Sequence, residues 1–267
     1  MTVLAGPLLR DRTAPLARRN PLAKLGAALV VMVGLFLTLD ALTPALLLAV
    51  ELVAFTWSGL SLATAARRLW PLLVAVPGLA VTTAVLTEER GGTVVLDAGP
   101  LAVTTGGLLA ALAVALRVLA IALPGVVAVA TIDPTDLADA LVQQLHASPR
   151  FTFGALAAFR MVPLLGEEWR TLQFARRARG MDGGRSPVRQ ATLFFATVFA
   201  LLVAALRRGV RLAAAMDARG FGHRRDRTSA RIQRMDAADW ALLCGAAGVM
   251  AAATAVSVAA GTWTFLL

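Results

Sequence analysis

Residues 21–39 read PLAKLGAALVVMVGLFLTL, nineteen residues with a single charge. A helix rises about 1.5 Å per residue, so such a run is long enough to cross the hydrocarbon layer of a bilayer, about 30 Å thick. Similar runs lie at about 41–60, 69–87, 105–131 and 240–266. The chain is 58% hydrophobic and its mean hydropathy is +0.73, well above a soluble domain. These runs predict an all-α polytopic membrane protein with about five transmembrane helices. Trp240 and Trp263 stand near the two ends of the last span, where one continuous helix would set them roughly 35 Å apart, at the two interfaces.

Positive charge sets the orientation. Arg18, Arg19 and Lys24 flank the start of span 1, and Arg67 and Arg68 lie between spans 2 and 3. The turn at Asp40 has no Lys or Arg, and the loop at 88–100 has one Arg against three acids. Cytoplasmic loops carry the excess of Lys and Arg. The N-terminus is therefore expected in the cytoplasm, in a multi-pass protein of the cell membrane. Arg10, Arg12, Arg18 and Arg19 stand in a stretch with no apolar region before a cleavage site, so no signal peptide is expected. The net charge of +10 reads as this bias, and nucleic acid is not an expected partner.

The segment 132–239 differs from its flanks. It holds seventeen of the twenty-five arginines and ten of the sixteen acids. The expected domains are a membrane part at 1–131, a cytoplasmic helical coupling domain at 132–239, and a final transmembrane helix at 240–267. DPTDLADALVQQL at 133–145 has Asp and Pro at its start and leucines every four residues, the pattern of an amphipathic helix. The run at 187–206 is apolar enough to mimic a span. A crossing there would carry every arginine of 207–234 across the membrane, so it is expected to pack against other helices or a partner.

One pattern occurs twice in this segment. Leu172, Ala175, Ala178, Arg179 and Gly180 return forty residues later as Leu212, Ala215, Ala218, Arg219 and Gly220. Gly180 and Gly220 fit the position just past a helix end, where a left-handed residue closes it. Arg179 and Arg219 then stand at the negative end of a helix dipole. Capped cytoplasmic helix ends carrying ordinary arginines explain the pattern equally well. The alternative is a pair of docking tips, each Arg fork meeting a partner carboxylate.

The chain resembles the transmembrane T component of energy-coupling-factor (ECF) transporters, the family with T subunits for cobalt, biotin and other vitamins. The resemblance is carried by RRNPLAKL (18–25), TIDPTDLADAL (131–141), AAFRMVPLLGEEWRTLQFARRARG (157–180) and AMDARGFG (215–222). It implies that Ala178, Arg179, Gly180, Ala218, Arg219 and Gly220 dock two cytoplasmic ABC ATPases, as a homo- or heterodimer. It also implies a second partner, a small membrane subunit that captures the substrate, a vitamin or a transition-metal ion. The chain itself would be a non-catalytic scaffold. There is no P-loop pattern for ATP, Lys24 is the one lysine, and His146 and His223 form no metal cluster with the lone Cys244. No cofactor or metal is expected, both histidines are expected in solvated loops or helix ends, and Cys244 is expected to be a small buried hydrophobe.

Two other readings compete with the scaffold. A stand-alone secondary transporter needs polar groups at the midplane, and Glu51 and Arg117 are the candidates. A membrane-embedded lipid-modifying enzyme needs clustered acids, and Asp133, Asp136 and Asp139 are the close set, though acids also favour a helix's first turn. Counting residues inward from the span ends puts Glu51 and Arg117 at similar depth. They are therefore expected either to face each other as a structural ion pair, or to stand apart with Arg117 snorkelling and Glu51 protonated or in a polar groove.

Overall fold

The computed structural model describes residues 16, 18–57, 62–86, 93–98, 101–181, 184, 186–221 and 229–263. Arg10, Arg12 and His223 lie outside the described residues, as does part of the 88–100 loop. The helices are α1 (Pro21–Phe36), α2 (Leu42–Trp57), α3 (Leu62–Leu86), α4 (Thr105–Thr131), α5 (Pro134–Gln144), α6 (Pro149–Ala178), α7 (Pro187–Ala218) and α8 (Ala237–Ala259). Strands β1 (Val94–Ala98) and β2 (Leu101–Thr104) pair antiparallel between α3 and α4.

The helical class and the membrane reading hold. Among the described residues, four helices are long and apolar enough to cross a membrane: 69–86 of α3, α4, α7 and α8. α1 and α2 are apolar but only 16 residues each, about 24 Å of helix. The hairpin stands where the sequence reads as a loop. TVVLDAGPLAVTT carries β-branched residues on both sides of a Gly-Pro turn signal, and pairing satisfies its backbone locally. α3 begins early enough that Arg67 and Arg68 lie within it. α8 ends early: its C-cap is Ala260 and Gly261 is left-handed at φ +68°. Trp263 thus falls beyond the helix, and a continuous helical rise does not set its spacing from Trp240. Cys244 is exposed on α8, not buried. In a lipid-facing helix, apolar character does not report burial.

The chain divides into two units, residues 1–137 with 234–267, and residues 138–233. In the first unit α1 packs on α4 and α8, α2 on α4 and α8, and α3 on α4. Val31, Leu35, Leu47, Ala120, Met250 and Ala253 form its core. In a bilayer such contacts act by close packing rather than by exclusion of water. Gly34 lets α8 approach: a Cβ there would lie 2.6 Å from the Met250 methyl.

Polar groups fasten both ends of this bundle. At one end the Asn20 side chain caps α1 through Leu22 N–H at 2.9 Å, and Asn20 N–H donates to Asp239 Oδ1 at 3.0 Å. Beside it Lys24 Nζ donates to the Thr131 carbonyl, at the last residue of α4, at 3.1 Å. At the other end Asp40 Oδ2 accepts from Thr43 N–H at 2.7 Å, Thr43 Oγ1 at 2.6 Å and Ser257 Oγ at 2.7 Å. Burial alone would raise the Asp40 carboxyl. Those hydrogen bonds outweigh it and hold the group below its ordinary range. Asn20 meets the start of α8 and Asp40 meets its end, so α1 and α8 run parallel.

In the second unit α6 and α7 pair antiparallel. Phe153 meets Phe221 edge to face at 5.8 Å and Trp169 meets Phe194 at 5.4 Å. The side chain of Gln143, on α5, donates to Arg231 O at 2.7 Å and accepts from Gln233 N–H at 2.9 Å, which fixes the segment that leaves the unit.

Candidate coupling site

The two copies of the repeated pattern end α6 and α7 in the same geometry. Ser148 and Ser186 are the N-caps, with Pro149 and Pro187 in the first turn, where proline loses no helical hydrogen bond. At the far end of α6, Gly180 N–H donates to Arg177 O and Met181 N–H to Arg176 O, both at 2.9 Å. α7 repeats this: Gly220 N–H donates to Asp217 O and Phe221 N–H to Met216 O, again at 2.9 Å. This pair of bonds closes a Schellman motif, which requires a left-handed residue. Gly180 has φ +69° and Gly220 has φ +66°.

Each glycine is preceded by an arginine as C-cap. Arg179 has φ −90°, ψ 9° and Arg219 has φ −88°, ψ 9°, so the two tips match residue for residue. Ala178 and Ala218 are the last helical residues. All six residues are exposed. Neither arginine side chain forms a hydrogen bond or ion pair with a described residue. Arg176, by contrast, donates to Leu193 O at 2.6 Å and to Thr197 Oγ1 at 2.5 Å on α7. One turn inside the tip, an arginine serves the fold. At the tip, an arginine is left for something else.

α7 also carries an apolar stripe. Val188, Phe195, Phe199, Leu202, Leu206 and Val210 recur at helical spacing, and each is at least half exposed. Arg208 and Arg211 lie on the opposite face by the 3.6-residue period. Arg208 pairs there with Glu168 of α6. Sequence reading missed the roles of Arg176, Glu168 and Arg208, because arginines at 160–211 look alike until their partners are known.

Glu51 and Arg117 are not brought together. The Arg117 guanidinium donates to the carbonyls of Thr38 and Asp40, past the end of α1. Both Glu51 oxygens are buried and accept no hydrogen bond. Glu51 borders an apolar cavity of about 360 Å³ with Lys24, Phe55 and Val249. Matching depth was a poor guide, since a long arginine side chain reaches carbonyls beyond the end of α1. The Asp133 carboxylate accepts from Thr135 N–H at 2.7 Å and caps α5. His146 sits exposed in the α5–α6 turn.

Residues 12–230 match the family described as CbiQ, cobalt transport protein. Curated relatives agree. The chain is 34% identical over 170 residues to the energy-coupling factor transporter transmembrane protein EcfT of Leuconostoc gelidum subsp. gasicomitatum, a match over 58% of this chain and 62% of that one, short of two thirds of its length. It is 31% identical to the EcfT of Limosilactobacillus fermentum, over 80% of this chain and 82% of that one. With EcfT 1 of Listeria monocytogenes it shares 29% identity, over 79% and 81%.

Proposed function

The chain belongs to the cobalt transport protein (CbiQ) family and is the membrane T component of an energy-coupling-factor transporter, and we propose that its tips at Arg179 and Arg219 couple two ATPases to substrate capture. The observation that carries this is the duplicated helix end: the same Ala-Arg-Gly, the same dihedrals, and an exposed guanidinium with no partner among the described residues. Two like tips suit two like ATPase subunits. Each Arg fork offers planar, bidentate donors to a carboxylate in a partner's groove.

On this reading the chain is a non-catalytic scaffold, and ATP is hydrolysed in the partners. The apolar stripe of α7 from Val188 to Val210 is the surface for the capture subunit. That subunit selects the cargo, a vitamin or a transition-metal ion. The N-terminus is cytoplasmic, which places the Asn20–Asp239 end of the bundle inside and the Asp40 end outside. The separation of Glu51 from Arg117 weighs against a stand-alone transporter built on that pair.

Copurification with the ATPases in detergent tests the docking. Arg179→Ala together with Arg219→Ala should lose the ATPases while the chain stays inserted and folded. Lys at either site should restore binding only in part, because it lacks the fork. If the double Ala variant holds the ATPases as the unmodified chain does, docking by these tips is wrong.

A further inference from the structure

The forty-residue offset extends beyond the tips. Glu168 plus forty is Arg208, and these two residues pair with each other across α6 and α7. A contact between a residue and its own repeat equivalent lies on the pseudo-two-fold axis of an antiparallel pair. Glu168 stands eleven residues before Arg179, and Arg208 stands eleven before Arg219. The ion pair is thus equidistant from both tips, about 16 Å along each helix.

The two limbs on either side of it are packed differently. On the limb that ends at Arg179, Trp169 meets Phe194 edge to face and Arg176 binds Thr197. The repeat equivalents of Trp169 and Phe194 are Gly209 and Gly154. Those of Arg176 and Thr197 are Met216 and Ala157. These four residues line a groove of about 400 Å³ on the limb that ends at Arg219. A Cβ built on Gly154 or on Gly209 meets nothing within 4 Å. That limb is still closed at its tip, where Phe153 meets Phe221 edge to face, so the groove is unfilled space between the ion pair and this contact, and unfilled space allows motion that dense packing resists. The pair is partly exposed, each side chain by about a third.

We propose that the Glu168–Arg208 ion pair is the pivot of the coupling pair. α6 and α7 turn about it when the ATPases close, and the groove on the Arg219 limb gives them room. Glu168 and Arg208 are positioning residues, acting through the tips. The proposal rests on the docking of Arg179 and Arg219 to the ATPases.

The test uses the full complex with its ATPase pair and capture subunit, in lipid nanodiscs. Spin labels go on the repeat-equivalent exposed positions Phe174→Cys and Ala214→Cys, with Cys244→Ala. Pulsed EPR reads their distance without nucleotide and with ATP plus vanadate. The unmodified pair should shift between the two states. Glu168→Gln or Arg208→Gln should broaden the distribution in both states and lose the shift. Combining Glu168→Arg with Arg208→Glu should restore it, which a merely destabilised helix pair would not. Gly154→Phe with Gly209→Trp fills the groove as the other limb is filled. It should raise the thermal midpoint and pin the distance at one value, with the ATPases still bound. This second variant decides the matter if the Gln variants fail to assemble. A shift that survives either the Gln changes or the filled groove overturns the pivot, as does an unmodified pair with no shift. Retained ATPase binding in the double Ala tip variant sinks the docking reading instead, a separate readout from the distances.

Discussion

At the scale of single residues, the membrane bundle shows how a charge finds its partner. Arg117 takes backbone carbonyls in the turn beyond the end of α1, where buried acceptors need a donor. Glu51 takes no hydrogen bond, so its carboxyl bears the cost of burial without compensation. The two should respond differently to neutralisation. Arg117→Gln should destabilise by about 1–3 kcal/mol, because buried carbonyls lose a charged donor. Glu51→Gln should leave the unfolding midpoint unchanged or raise it. The charge swap Glu51→Arg with Arg117→Glu should be worse than either Gln change. Thermal unfolding in detergent checks all three. A swap that recovers stability would return the two residues to one ion pair. Both positions and their depth are legible in the residue spacing, but helix rotation and the reach of the arginine side chain are not.

Elements were read most reliably where backbone chemistry leaves a local signature. Asp133 caps α5 where acid and proline mark a helix start, and the glycines at 180 and 220 are left-handed where the repeat pattern ends. The hairpin at 94–104 escaped because its strands are short and one of its residues is bulged. The exposure of Cys244 escaped because lipid and protein core select the same residue types. The tip geometry has its own consequence. Gly180→Val and Gly220→Val force a β-branched residue into a left-handed well, costing roughly 1–2 kcal/mol at each end. Asn tolerates that well and should be milder. Neither site has an atom within 4 Å of an added Cβ, so the effect is conformational and not steric. ATPase copurification should fall for Val and largely survive for Asn. Equal losses for Val and Asn would mean that the left-handed cap is not what presents the arginine.

Across the whole molecule, the membrane bundle is closed by its first and last helices. Asn20 binds Asp239 and Asp40 binds Ser257, contacts that span more than two hundred residues. Residues 138–233 are an insertion into that closed bundle. Its two connections leave from one end. Lys24, in the first turn of α1, holds the last residue of α4, and Asn20, one turn earlier, holds the first turn of α8. Packed helices lie 8–10 Å apart, so the chain before and after the insertion stays within about 20 Å of one point. A Gly/Ser linker of about ten residues has a typical span of that order. Joining Leu137 to Arg234 with such a linker should leave a bundle that inserts and unfolds cooperatively, since each of its polar ties is retained. The same protein should bind no ATPase, because both tips are gone. Deleting α8 instead should remove Asp239, Ser257 and Met250 together and leave Lys24, Asp40 and Gly34 uncovered, giving a chain that is degraded on expression. Protease protection in membranes and size exclusion in detergent distinguish the two. If the linked bundle aggregates while the α8 deletion stays monodisperse, the bundle is not closed by its terminal helices.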